Sequence, residues 1–334
     1  MAYLLLCYCI IMIGCCIQVL NQYHCSVERL NTRKKDYQYV YDVFKQNNPS
    51  TTRFVTNDTL FHPLTYVLKQ NMEWNHHSVC TNDTFALLMF FTYRDDSERR
   101  DMIREYIKQG MIVDGMTLNY VQIIATNDTE QLRRFNQENK VNKDLLISLH
   151  MDIYEEWPLT VFDAYLWARD YCSEAKYVIK VDGDVWVHLG NMVHYLRSAP
   201  KTGFYGGMTV HHWFRGGQEY KGVRFIPLDF QEKQLSFNLG AFTAFSNDVI
   251  PFVGIGTQFV DILFPACEDV LIGQILRKAG ILPHRKPRDY VWMAFSNKLN
   301  NLTVSPNIIS VHVKGFNNLK ELYGKYASNL TLSI

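Results

Sequence analysis

Neither sign of charge prevails in this chain: 34 lysines and arginines face 33 aspartates and glutamates, a net charge of +1. A nucleic-acid-binding domain carries a basic excess or stripe, so the balance gives no reason to expect nucleic acid as a partner. No Cys-x-x-Cys spacing occurs among the cysteines, which argues against a structural zinc site. No repeat or low-complexity tract stands out. No charged side chain precedes Glu28. The 334 residues suffice for one large domain or two modest ones. An aromatic content of 14% suits either a thick core or a stacking site, without choosing between them.

The uncharged start is a signal in itself. From Ala2 to Leu20 only Tyr3, Tyr8 and Gln18 interrupt an apolar run. About nineteen apolar residues span a bilayer as a helix. The length of the run and its lack of a leading Lys or Arg favour an uncleaved signal anchor over a cleaved signal peptide. Arg29, Arg33, Lys34 and Lys35 follow the span, which by the positive-inside rule argues against a luminal body. Five sequons outweigh that argument: Asn57-Asp-Thr, Asn82-Asp-Thr, Asn127-Asp-Thr, Asn301-Leu-Thr and Asn329-Leu-Thr. Pro49 spoils a sixth, at Asn48. Beyond the span lie Cys25, Cys80, Cys172 and Cys267, enough for two disulfides in any of three connectivities.

Residues 21–83 are polar and irregular and read as a stem followed by an extension packed on the main domain. Regular patterning then begins. Strands are predicted at Phe85–Tyr93, Tyr120–Ala125, Leu145–Leu149 and Tyr177–Val181. Helices alternate with them. One opens on a capping box of Asp95 and Glu98 and runs to about Lys108, and the others cover Thr129–Asn139 and Leu159–Cys172. Pro158 suits the first turn of the third, where a missing N–H costs nothing. Such alternation predicts an α/β fold, a parallel sheet with helices on both faces. The second half adds strands at Gly203–Gly207 and Phe237–Ser246, with Gly240 allowing close backbone approach. Residues 209–236 between them read as an acceptor-facing loop or a long hairpin. Cys267-Glu268-Asp269 opens a helix over Val270–Lys278, where acids are also expected as plain caps.

The chemistry concentrates in KYVIKVDGDVWV at 176–187. A buried strand that ends in two carboxylates, Asp182 and Asp184, needs something to offset their charge. Oxygen ligands suit a hard divalent cation, which one or two carboxylates plus substrate phosphates commonly hold. The carboxyl end of such a strand is also where open α/β sheets bind ligands. An EF-hand is excluded, because Trp186 stands where the next ligand belongs.

Several spaced segments together resemble the glycosyltransferase family of the β-1,3-galactosyltransferases and β-1,3-N-acetylglucosaminyltransferases. They are Glu98-Arg99-Arg100 with Ile103-Arg104-Glu105, Asp152-x-Tyr154 with Leu159-Thr160, the Asp182-Gly183-Asp184 strand, Gly240 through Ser246, and FPACEDVLIG at 264–273. The resemblance runs from about residue 85 to 315. It implies a GT-A type, Rossmann-like mixed sheet flanked by helices, behind an N-terminal signal-anchor helix. The implied division is a cytoplasmic end at 1–4, an anchor at 5–21, a stem and extension at 22–83, a catalytic domain at 84–320 and a tail at 321–334.

The resemblance further implies a Golgi type II membrane protein that moves a hexose, galactose first, from a UDP-sugar to a glycoprotein or glycolipid glycan. The transfer would be Mn2+-dependent and inverting, giving a β-1,3-type linkage. Asp184 is expected to ligate the metal, with Asp182 on the metal or the ribose and His312 completing the shell. Inversion needs a base at the acceptor hydroxyl, and Asp269 is the candidate, with Glu268 the alternative. Arg100 and Arg104, one helical turn apart, are expected to face the diphosphate, and Lys180 to join the donor site.

The departures from the family pattern are specific. Gly183 replaces the middle acid of an Asp-Asp-Asp run, Tyr106-Ile107 replaces Thr-Trp, and Asn238 replaces a cysteine. Phe162 stands near an expected lysine, and Glu156-Trp157-Pro158 is altered or inserted. The rival reading is a non-catalytic relative that keeps the fold and binds a glycan or a partner chain.

Overall fold

A computed structural model describes residues 35–48, 72–73, 79–154, 156–212, 219–220, 223–224, 235–256, 267–284, 291–296, 307–313 and 315–327. The anchor span, Cys25 and the sequons at Asn57, Asn301 and Asn329 lie outside the described residues. Among the described residues no helix is long and apolar enough to cross a membrane. Asn82 and Asn127 are both exposed on connections, accessible to modification.

In chain order the elements begin with helix α1 over 35–47, then β1 (Met72–Glu73) and β2 (Thr84–Phe91). Helix α2 (Ser97–Tyr106), β3 (Met111–Val113), β4 (Met116–Ala125), α3 (Thr129–Asn142) and β5 (Leu145–Ser148) follow. Next come α4 (Trp157–Tyr171), β6 (Tyr177–Asp182), β7 (Val185–Val187), α5 (Leu189–Ser198) and β8 (Tyr205–His212). A short hairpin of β9 (Glu219–Tyr220) and β10 (Val223–Arg224) leads to β11 (Leu235–Ser246) and α6 (Ile250–Ile255). The chain continues through α7 (Glu268–Lys278), β12 (Val291–Ser296), β13 (Ile308–Val313) and α8 (Phe316–Ala327).

The main sheet is mixed and Rossmann-like, in the order β1-β5-β4-β2-β6-β11-β8, with β3 paired to β4. The predicted strands β2, β4, β5 and β6 are parallel, while β11 and β8 add antiparallel. The chain runs from β2 outward to β4 and β5, then returns to lay β6 on the other side of β2. The direction of build therefore reverses between β2 and β6, a topological switch point.

Alternation within β2 supplies two cores. Phe85, Leu88 and Phe90 pack on one face with Met102, Ile103, Trp186 and Leu196, and Leu87, Met89 and Phe91 pack on the other with Val161, Phe162, Phe252 and Leu271. Lys180 and Asp182 share one face of β6 because they lie two apart, which is how charge enters a strand otherwise built of Val and Ile.

The structure refines the sequence reading at three places. Asp96, not Asp95, caps α2, its side chain accepting from the Arg99 N–H. Within the segment read as stem and extension, α1 packs on the main domain, because Val40 and Phe44 form an i, i+4 apolar pair, both fully buried. Phe44 meets Phe252 edge-on at 6.0 Å, and Asn48 Nδ2 donates to the Lys278 carbonyl at 2.7 Å, capping α7. Of the two alternatives for 209–236, the described ends follow the long hairpin: Thr209–His212 on β8 pair antiparallel with Leu235–Asn238 on β11.

Of the three open cysteine connectivities, the structure joins Cys80 to Cys172, across 92 residues. Cys267 Sγ lies 3.1 Å from the Tyr154 hydroxyl. The disulfide ties the approach to β2 to the end of α4. Replacing Cys172 with Ala is expected to cost about 2–5 kcal/mol. Chemical denaturation of variant and parent, the parent with and without reductant, measures it.

Candidate active site

The site forms where β6 leaves the main sheet. Gly183 and Asp184 turn the chain into β7, which belongs to a second sheet of order β12-β13-β7. His312 on β13 pairs in register with Val185, and the Val313 N–H donates to the Asp184 carbonyl at 2.9 Å. Backbone pairing between two sheets thus sets His312 Nε2 3.0 Å from Asp184 Oδ2. The two side chains are 128 residues apart in sequence.

Gly183 is held by close approach. Its N–H donates to the Phe91 carbonyl at 2.7 Å, and a Cβ there would fall 2.8 Å from that same oxygen and 3.2 Å from Arg99 Cδ. A middle acid does not fit this turn. The glycine is therefore a packing requirement of this chain, and the outer two aspartates keep their places.

Behind the acids lies a buried ammonium. Lys180, fully buried, donates to Asp182 Oδ1 and, at 2.6 Å, to the Gly240 carbonyl. Its Nζ lies 3.3 Å from Glu268 Oε1 and 5.0 Å from the centre of the Phe91 ring. Burial pulls the ammonium down, but Asp182 and Glu268 outweigh it and hold it above its ordinary value. Gly240 lets β11 come this close, since a Cβ there would lie 2.3 Å from Glu268 Oε1.

Three of the acids are differently tuned. Burial pushes Asp182 up to about 6, against the opposing charge of Lys180. Burial also raises Asp184, but the hydrogen bond and charge of His312 and the Arg99 guanidinium outweigh it and leave the carboxyl below its ordinary range. Asp269 is pushed up to about 7, by burial and then by the charge of Glu268 beside it. Its oxygens accept from the Val270 N–H at 2.8 Å and the Gly240 N–H at 3.4 Å. Glu268 is committed to Lys180, which leaves Asp269 as the carboxyl suited to proton transfer.

Three predicted donor residues are placed elsewhere. Arg100 is buried, donating from Nε and Nη2 to Glu138 at 2.9 Å each and lying 5.4 Å from the Phe135 ring. Arg104 donates to Asp144, Glu138 and Asp101 at 2.7–2.9 Å. Arg100 clamps α2 to α3 through Glu138, and the partly buried Arg104 ties it both to Glu138 and to Asp144 at the approach to β5. Lys180 is enclosed behind the acid pair, not in front of it. The basic residue turned to the acids is Arg99, one position away in helix phase: it packs on Gly183 and lies 5.6 Å from the Phe316 ring. The place of Gly183 beside Phe91 was the deciding contact, and no spacing in the sequence announces it.

A family model described as Galactosyltransferase matches residues 98–287, more than half of the chain. The chain belongs to the galactosyltransferase family. Human β-1,3-galactosyltransferase 1 is 25% identical over 224 residues, covering 64% of this chain and 67% of that protein. Lactosylceramide 1,3-N-acetyl-β-D-glucosaminyltransferase A of Xenopus laevis is 24% identical over 261 residues, covering 75% and 68%. Among solved structures, the bifunctional glycosyltransferase WbbM aligns at a TM-score of 0.39 with 8% identity, over 75% of this chain and 50% of that one. That likeness is too distant to bear on function. As a member of the galactosyltransferase family the chain is a glycosyltransferase.

Among the described residues no group of three or more His, Cys, Asp or Glu side chains is gathered to hold a metal. The donor set nevertheless fits a cation completed by substrate. Asp184 and His312 present a carboxylate and an imidazole, 39% and 28% exposed, and leave the other positions to phosphate oxygens and water.

Lys180→Met leaves the carboxylates of Asp182 and Glu268 without their shared cation. Breaking a buried ion pair from one side costs about 3–5 kcal/mol, and urea unfolding of the variant is expected to show a loss of that size.

Proposed function

We propose that this galactosyltransferase-family chain is a GT-A glycosyltransferase that moves a hexose, galactose first, from a UDP-sugar to a glycan hydroxyl, with inversion and a β-1,3-type linkage. The observation that carries the proposal is the Asp184–His312 pair at the β2/β6 switch point, with Asp269 across β6 from β2. Ligands of open α/β sheets sit at the carboxyl ends of the strands where the build direction reverses. The relatives' names, a galactosyltransferase and an N-acetylglucosaminyltransferase that both make 1,3 linkages, support the linkage and leave two donor sugars to compare.

Asp184 and His312, with Asp182 beside them, would hold a divalent cation, Mn2+ by preference. The bound cation supplies charge neutralisation for the departing diphosphate. The chain's own residues do the rest. Arg99, whose Nε pairs with Asp96 Oδ2 at 2.7 Å, is near enough to lower Asp184 by its charge and adds positive charge on the donor side. Asp269 accepts the proton of the acceptor hydroxyl as that oxygen attacks the anomeric carbon from the face opposite the leaving group. Lys180 holds Glu268 and Asp182 in place, so that only Asp269 is available to take the proton.

The compartment is read from the sequence. The apolar run near the N-terminus and the five sequons support a single-pass type II Golgi membrane protein with a luminal catalytic domain, anchored at 5–21 with its catalytic body at 84–320.

Asp184→Ala is expected to lower sugar transfer by at least about 100-fold, in line with loss of a preorganised electrostatic contact. UDP release in the presence of Mn2+ measures it, with unchanged secretion and melting as the control. Full turnover in that variant, or in excess chelator, would sink the metal-dependent mechanism.

The raised pKa of Asp269 gives a pH dependence with a definite sign. Only the carboxylate accepts a proton, so kcat/KM is expected to rise with pH through about 7. The folded state also holds that proton more tightly than the unfolded chain. Its contribution to stability therefore falls as pH rises from the ordinary Asp value of 3.8 to about 7. Asp269→Asn removes both the acid limb of the rate profile and that slope in the melting temperature.

A further inference from the structure

Glu156-Trp157-Pro158, the segment that departs from the family pattern, has a definite place. Glu156 Oε2 accepts from the Met151 N–H at 2.7 Å, closing the loop between β5 and α4. Beneath that loop, His150 Nε2 lies 3.0 Å from Asp163 Oδ2, and the Ser148 hydroxyl donates to the same oxygen at 3.2 Å. All three side chains are buried. The Trp157 N–H donates to the Ile153 carbonyl at 3.1 Å, and α4 begins with the indole at its first position.

The indole stands between two other rings. Its ring meets Phe91 edge-on at 5.7 Å and lies near-parallel to Tyr93 at 6.4 Å and 26°. The order from inside to outside is Lys180, Phe91, Trp157, Tyr93. The last member is 57% exposed, an unusual state for a large ring two residues past a buried strand. Its phenol also stands within the field of the site. Burial and then the charges of Asp184, Asp182 and Asp152 hold it above its ordinary value.

We infer that Tyr93 and Trp157 form the stacking platform for the nucleobase of the donor. The inference rests on the donor being a nucleotide sugar. Its direction comes from the sheet. β6 has β11 on one side, bringing Gly240, Glu268 and Asp269, and β2 on the other, bringing Phe91 and then Tyr93. A donor whose diphosphate lies at Asp184 and whose sugar faces Asp269 has its nucleoside on the β2 side. There the exposed ring meets it. A planar base gains from a rigid aromatic face irrespective of its hydrogen-bonding edge, and the pinned loop fixes that face before the donor arrives. An acceptor sugar has no such claim on this position, because its hydroxyl must reach Asp269 on the opposite side of β6.

The test is titration of the full-length protein with UDP in the presence of Mn2+, read by calorimetry, alongside donor and acceptor kinetics. Tyr93→Ala is expected to weaken UDP binding about 10-fold, within the range for loss of one base–aromatic stack. Tyr93→Phe is expected to bind UDP like the parent, since the ring and not the hydroxyl carries the contact. Donor KM rises in Tyr93→Ala and kcat stays within a few-fold. Tyr93 is exposed enough that its truncation leaves the core intact. Trp157→Ala serves as a second variant, interpreted only where its melting curve remains cooperative.

Parent-like UDP affinity in Tyr93→Ala would overturn the platform and leave the transferase reading standing. So would an unchanged UDP affinity with a raised acceptor KM, which reassigns the ring to the acceptor. If the parent protein bound no UDP with Mn2+, the donor reading and the platform would fail together.

Discussion

One buried ammonium organises the catalytic end of this molecule. Lys180 lies fully buried on β6 between Ile179 and Val181, and its charge is met by Asp182 on its own strand and Glu268 at the head of α7. A lone charge in that position would cost several kcal/mol. The arrangement is stable only when β6, β11 and α7 are all in place. The contact that removes the penalty therefore also fixes where Asp182 and Asp269 stand relative to each other. It also separates the acids: Asp182 and Glu268 face the ammonium, while Asp184 faces His312 and Asp269 is held by the backbone N–H groups of Val270 and Gly240.

Space sets the second constraint. At the site, Gly183 and Gly240 mark places where an added Cβ would come too close to a neighbour, one against the Phe91 carbonyl and one against Glu268. Each makes an interaction possible by vacating volume. The first brings β2 to the acid turn, so that Arg99 and Tyr93 border it. The second lets the Gly240 carbonyl reach Lys180. The family's middle acid at position 183 and a side chain at 240 are both incompatible with this packing, which turns an apparent loss of a motif residue into a local solution.

The remaining departures sort by burial. Phe162 is fully buried in the apolar core between α4 and β2. Asn238 is buried and bonded to Tyr205 and Thr209, so polar contacts hold a position at which the family carries a cysteine. Trp157 is different, because it borders solvent beside an exposed Tyr93. The first two substitutions maintain a fold, and the third bears on what the fold can hold.

Much of this was legible in the chain itself. Period-two and unbroken apolar runs marked β2, β4, β5 and β6, helical patterns marked α2, α3 and α4, and the two aspartates ending a hydrophobic strand marked the site, because side-chain periodicity and the cost of burying charge are local rules. Arg99 against Arg100, Lys180 behind rather than before the acids, and the packing of α1 were not legible. Helix phase relative to a distant turn, and the face from which a partner arrives, are set by long-range contacts. The sequence by itself determined that a carboxylate pair would stand at a sheet edge, in a chain of this family. Only the tertiary structure decided which cations and rings surround it, since His312, Glu268 and Trp157 reach the pair through folding rather than through proximity along the chain.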